Sequence, residues 1–142
     1  MFKLLRFEDR MSAWRDFRET LTTSDNPIQD VIDYYSTAPL VNFNADPYDK
    51  QTWPNPWELL EENIYCEYCK ILGMCYTLSL TEHFNEEPFE IHIGIDRHCS
   101  ATYYLLYVGD RVIGYEANTH VHKDVIPDTL EVQNIHAMSQ LQ

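Results

Sequence analysis

Three of the four cysteines, Cys66, Cys69 and Cys75, fall within the stretch NIYCEYCKILGMCYTL, and the fourth, Cys99, follows His98. Thiols spaced like this can do three kinds of work. The pair Cys66-x2-Cys69 has the inner spacing of a zinc half-site, which His98 and Cys99 could complete. A thiol in the first turn of a helix beside a histidine can act as a nucleophile, because the helix terminus stabilises its thiolate. A free cysteine can also serve as a small buried hydrophobe.

The surrounding residues weigh against metal. Paired zinc cysteines sit on tight turns with glycine or basic residues nearby, whereas this pair lies in a helical run between tyrosines, with no second C-x-x-C. No metal and no cofactor is implied. For the nucleophile, Asn63 as a helix cap places Cys66 in the first turn. His92 then follows on a strand, with Glu116 or Asn118 to orient it. That order is similar to the transglutaminase-like and papain-like arrangement and makes Cys66, His92 and Glu116 the alternative catalytic set. Two features oppose it: the pleat of a strand turns His92 away from the helix, and Glu61, Glu62 and Glu67 surround the thiol with charge that raises its pKa. No catalytic residue is therefore favoured, and the thiols read as space-filling. Of the other histidines only His120 and His122 form a local pair. Four glycines, scattered along the chain, make no phosphate-binding loop.

The elements that must position these residues follow from periodicity. Leu4, Phe7, Met11, Trp14 and Leu21 form a helical apolar stripe. A second helix has Asn26 as cap and Pro27 at its first position, with Ile28, Val31, Ile32 and Tyr35 on one face; together these N-terminal helices occupy 1–38. The stretch 39–56 is an extended proline-rich connector, with Asn55 capping a turn that begins at Pro56. Trp53 and Trp57 are expected to pin this connector to the core. Ile64, Tyr68, Ile71, Leu72, Cys75 and Leu78 predict one long central helix over 57–82, containing Gly73 at a cost of ~1 kcal/mol unless close packing compensates. FEIHIGI alternates cleanly, with the isoleucines on one face and Glu90, His92 and Gly94 on the other. ATYYLLYV and RVIGYE flank Gly109-Asp110, a tight hairpin turn. The run Tyr103–Val108 suggests a central strand covered on both faces. A last strand near LEVQNIH completes a sheet over 89–136. Helices followed by a mainly antiparallel meander make an α+β fold, here a single domain over 1–142.

Composition sets the function classes. The net charge is −13, yet residues 1–18 carry five basic and three acidic residues, a balance of +2, leaving −15 for the remainder. A surface this acidic excludes general nucleic-acid binding. A basic first helix, with Arg6, Arg10 and Arg18 around Trp14, is instead suited to dock on an acidic surface. With Trp53 and Trp57 these are the expected interface residues. No apolar run is long enough to span a membrane, and the first residues meet charge too early for a secretory leader. The cysteines are thus expected to be reduced.

From Asp46 to Glu116 the chain resembles a family of small proteins encoded by contractile-tailed phages, especially those of marine cyanobacteria. The likeness lies in the Trp53-Pro-x-Pro-Trp57-Glu-Leu string, the Tyr76-Thr-Leu helix end and the Tyr103-Tyr-Leu-Leu-Tyr-Val hairpin. The resemblance implies a structural or assembly protein of the phage particle, at the neck or head–tail junction, and carries over no catalytic residue. Its implied partners are other phage structural proteins or copies of itself, without direct nucleic-acid or membrane contact. Its implied location is the host cytoplasm during assembly and then the virion. Besides the enzyme, a third alternative is an acidic inhibitor of a host nucleic-acid-binding protein, with carboxylates standing in for phosphates.

Overall fold

A computed structural model describes residues 1–84 and 86–138; of the expected domain 1–142, residues 85 and 139–142 lie outside those described. Helix α1 spans Phe7–Leu21, with Glu8 and Asp9 in its first turn and Arg18 in its last, the charge order that the helix dipole favours. Its buried residues are Arg10, Trp14 and Leu21, with Phe7 and Phe17 packed beside them. The expected stripe was therefore rotated: Leu4 precedes the helix and Leu4 and Met11 are exposed. An arginine can take the inward place because three carbonyls satisfy it, as described below.

Helix α2, Pro27–Tyr35, starts as its sequence requires. The Asn26 side chain accepts from the Gln29 N–H, Pro27 fills the first turn, and Ile28, Val31, Ile32 and Tyr35 are buried. The connector holds one 3₁₀ turn, Lys50–Thr52. Helix α3, Pro56–Glu62, opens on a full capping box in which Asn55 and Glu58 bond each other's backbone N–H. Helix α4 spans Glu67–Ser79.

The single helix expected over 57–82 is thus two. The chain breaks at Asn63, which adopts the left-handed conformation (φ 53°, ψ 40°) and donates its N–H to Leu59 O. Asn63 ends α3; it does not cap the next helix. Tyr65 then turns extended and pairs with the connector: its N–H donates to Pro39 O and its carbonyl accepts from Val41, both at 2.9 Å. Cys66 itself becomes the N-cap of α4. Helix α4 is buried continuously from Ile71 to Ser79, as a helix must be when α2 covers one side and a sheet the other. At Gly73 the Tyr35 ring packs so closely that an added Cβ would lie 2.6 Å from it. Tyr35 and Trp14 both reach the Thr77 hydroxyl, at 3.0 and 2.9 Å, which ties α1, α2 and α4 at one buried point.

Five strands follow: β1 Phe89–Asp96, β2 Ala101–Val108, β3 Arg111–Ile113, β4 His120–His122 and β5 Leu130–Met138. They form one antiparallel sheet in the order β4-β3-β2-β1-β5. The fold is α+β. The first four strands meander, with the expected tight turn at Gly109-Asp110 and a positive φ at its first position. The chain then crosses from one sheet edge to the other and pairs β5 with β1. That crossing gives β2 its second cover. Phe89, Ile91, Leu106 and Val108 pack toward the helices, while Leu105, Val112, Val121 and Leu130 form a smaller core on the outer face with Ile126 beside them. Gly94 leaves room there, since an added Cβ would lie 3.0 Å from Leu130. Among the described residues no helix is long and apolar enough to cross a membrane.

Candidate functional site

The chemistry-bearing group best placed by this fold is the Cys66 thiol. Because the chain leaves Asn63 left-handed and runs extended through Tyr65, Cys66 enters α4 with its side chain folded over the first turn. Its Sγ accepts the Cys69 backbone N–H at 3.4 Å, in the place usually taken by a serine or aspartate oxygen. The connector holds it from the other side, as the Cys66 N–H donates to Asn44 Oδ1 at 3.0 Å. This arrangement holds the thiol well below its ordinary pKa. The Cys69 thiol is the largest cause, donating to it; burial opposes; and the backbone N–H groups of Asn44, Cys69 and Tyr68 add to the lowering. Cys69 shifts the other way, raised by the same pairing, by burial and by the charge of Glu62. Of the carboxylates expected to raise the Cys66 pKa, Glu62 acts instead on Cys69, and at Cys66 the Cys69 thiol, followed by the backbone donors, outweighs burial.

Cys66 is not on an open surface. It forms part of the wall of a cavity of about 150 Å³, with Phe43, Pro47, Tyr68 and Tyr104. Glu67 borders this cavity and two further depressions. One runs over β2 and Gly114 by way of Tyr104 and Ile71, and the other lies between α2, α4 and the loop after β3. Shared lining residues place the three side by side along α4. Cys75, by contrast, is buried and pushed up to about 12 by desolvation, and so fills space. Cys99 is exposed.

The alternative catalytic set is not assembled. His92 pairs with Leu105, so both share the outer sheet face, opposite to α4. There its ring stacks on Tyr107 at 4.1 Å and its Nε2 lies 3.1 Å from Glu90 Oε1. Glu116 is exposed and borders the depression between α2 and α4 with Glu67 and Lys70, a depression that Cys66 does not line. Among the described residues no histidine lines the Cys66 cavity. Among the described residues no group of three or more histidine, cysteine or carboxylate side chains is placed to hold a metal ion.

The expected interface residues divide. Arg10 and Trp14 are structural. Arg10 is only 6% exposed, and its guanidinium donates to Leu60 O, Leu4 O and Glu61 O at 2.7, 2.8 and 3.0 Å. A cation on the last carbonyls of α3 suits the helix dipole and supplies bonds that the helix end lacks. Trp14 is 2% exposed and bonded to Thr77. Arg18 lies half-buried with its guanidinium 4.4 Å over the Trp14 ring. Trp53 is pinned as expected, donating to Asp46 O at 2.7 Å and packing on Tyr68 and His136. Trp57 is not, lying 49% exposed with one edge on Trp14. Arg6 is exposed and 3.7 Å from Glu8.

A different apolar surface emerges at the α3–α4 break. Leu5, Phe43 and Leu40 are 95%, 69% and 56% exposed, and Leu4 and Ile64 are exposed with them. Hydrogen bonds bring their backbones together: Arg10 to Leu4 O, Asn63 Nδ2 to Phe2 O, Asn44 Nδ2 to Ile64 O, and the Leu40–Tyr65 bridge. Periodicity could not find this surface, because none of these residues lies inside a helix or strand. The only sequence signal was the left-handed tolerance of Asn63. Phe43 belongs to both the surface and the Cys66 cavity.

No family model, curated protein or solved structure matches the chain.

Proposed function

We propose that this chain is a structural or assembly protein of a phage particle, working through contacts with other particle proteins or with copies of itself. The single observation that carries this reading is the exposed apolar surface around the α3–α4 break. Single exposed leucines are ordinary, but several large exposed apolar side chains on adjoining backbone segments are typical of a protein-binding surface. The acidic body supports it by giving solubility before assembly and charge complementarity to a basic partner. The phage setting comes from the resemblance between Asp46 and Glu116, and the neck or head–tail junction is the place it suggests.

The test has two parts. Mass spectrometry of purified particles and of assembly intermediates is expected to find the chain, and absence at every stage removes the proposal. The double substitution Leu5→Glu, Phe43→Glu is expected to leave the monomer folded, since both side chains lie outside the core, and to abolish incorporation. Normal incorporation of that folded variant would show that this surface is not the contact.

A further inference from the structure

Two thiols at a helix start can exchange electrons as well as fill space. We propose that Cys66 and Cys69 are a dithiol that exchanges with an accessible disulfide and closes to a Cys66–Cys69 disulfide. This goes beyond the assembly role and does not depend on it.

The geometry carries the inference in three ways. Residues three apart at a helix start have Cβ atoms roughly 5–6 Å apart, so a backbone shift of about 1–2 Å in the first turn, together with side-chain rotation, brings them to disulfide distance. Here Sγ of Cys66 already lies over the first turn, 3.4 Å from the Cys69 N–H, so the two residues meet at the helix start. Second, Cys66, itself only 4% exposed, borders a cavity of about 150 Å³ whose rim includes the exposed Asn42, Phe43 and Glu67, whereas Cys69 is 0% exposed and does not line it. One sulfur can meet a ligand and the other can reach only its neighbour. Third, the Tyr68 hydroxyl is a buried donor with no partner among the described residues, and Tyr68 is 1% exposed on the wall of that cavity. An unmatched buried hydroxyl costs about 1–3 kcal/mol, and an incoming ligand can supply its acceptor.

The chemistry balances with the incoming disulfide as the oxidant. Cys66 thiolate attacks one sulfur of R–S–S–R′, forming Cys66–S–S–R and releasing R′–S⁻, which takes up a proton. Cys69 loses its proton to solvent and attacks Cys66 Sγ. The Cys66–Cys69 bond forms and R–S⁻ leaves to be protonated. Two cysteine thiols are oxidised and one disulfide is reduced to two thiols. The lowered pKa of Cys66 suits the attacking sulfur, and the raised pKa of Cys69 keeps it protonated until the mixed disulfide forms. Besides Cys66, the titratable groups bordering the cavity are Glu67 and Tyr68 from α4 and Tyr104 from β2.

The experiment uses the whole protein carrying Cys99→Ser, which removes the exposed thiol and leaves the pair intact. Iodoacetamide labelling of the folded protein, read by peptide mass, is expected to modify Cys66 at a rate nearly level between pH 6 and 8. An ordinary thiol gains about tenfold per pH unit over that range. With excess glutathione disulfide, or with a disulfide-linked peptide, the peptide bearing both cysteines is expected to lose two hydrogens and retain no adduct. Closure with either reagent supports the proposal, and the one that reacts identifies the source of the disulfide as small thiol or polypeptide. Cys69→Ser is expected to trap the mixed disulfide on Cys66. Should that variant fail to fold, the Cys99→Ser protein still decides. A dithiol unchanged by both reagents, or a lasting adduct on Cys66 without closure, overturns the proposal, as does an ordinary pH profile of labelling.

Discussion

At Gly73 and Arg10 single side chains decide how the helices meet. Gly73 sits inside α4, where alanine is intrinsically favoured by ~1 kcal/mol. The Tyr35 ring stands where a Cβ would lie, and Tyr35 cannot retreat without giving up its bond to Thr77. Overpacking of this kind costs about 1–3 kcal/mol, so Gly73→Ala is expected to lower stability by about 1–2 kcal/mol, read as a lower denaturation midpoint in urea. An unchanged or higher midpoint would mean that Tyr35 has room to move. Arg10 makes three bonds to carbonyls of two segments, and a lysine has no planar fork to reproduce them. Arg10→Ala is expected to cost about 2–4 kcal/mol, and Arg10→Lys to recover only part of that. Full recovery by lysine would reduce the site to a point charge. Neither role could be read from the chain. Gly73 is visible as a local cost without its compensation, and Arg10 reads as a surface arginine because two of its three carbonyl partners lie 50 and 51 residues away in sequence. Cys66 is buried, as a space-filling thiol would be, but its pKa shifts opposite to expectation, because sequence shows the neighbouring carboxylates and not the hydrogen-bond donors that the fold turns toward the sulfur.

Among the elements, the strands were the most legible. Alternation in β1 and the Gly109-Asp110 turn are short-range signals that tertiary packing left intact. The helices α3 and α4 were not legible as two, because Leu60 and Ile64 stay in helical phase across the break and hide it. Asparagine is at home both at a helix start and in the left-handed position that ends one, so Asn63 alone did not choose between them. The structure makes this break the basis of both the Cys66 cap and the apolar surface. Asn63→Ala places a Cβ residue without local polar compensation at φ 53° and also removes the bond to Phe2 O. It is expected to cost about 1–2 kcal/mol, whereas Asn63→Gly keeps the turn and loses only the side-chain bond. Thermal unfolding of the two variants separates the contributions. If alanine is no worse than glycine, the left-handed turn is not what holds the break.

For the molecule as a whole, two histidines link stability to pH. His136 is buried at the point where β5 meets the connector, with Nε2 3.0 Å from Pro47 O and its ring against Trp53. Burial lowers its pKa, the bond to Pro47 opposes, and Lys50 adds to the lowering. His120 is lowered first by burial and then by Arg111, whose Nε donates to its Nδ1 at 2.9 Å and so requires that nitrogen unprotonated. In both cases the folded state binds protons less readily than the unfolded chain. Their contribution is therefore fully present above the ordinary histidine value of about 6.5 and falls as the pH drops toward the lower folded values. The strong negative charge works in the other direction, since acidification relieves self-repulsion, so the wild-type curve alone mixes the two. Comparison with His120→Gln and His136→Gln separates them, because each substitution leaves the carboxylates untouched. Between pH 7.5 and 5 each variant is expected to lose less thermal stability than the wild type, and the double variant least. Variants whose melting temperatures fall in parallel with the wild type would place the acid sensitivity outside these two imidazoles, and the docking of β5 against the connector would then be independent of pH.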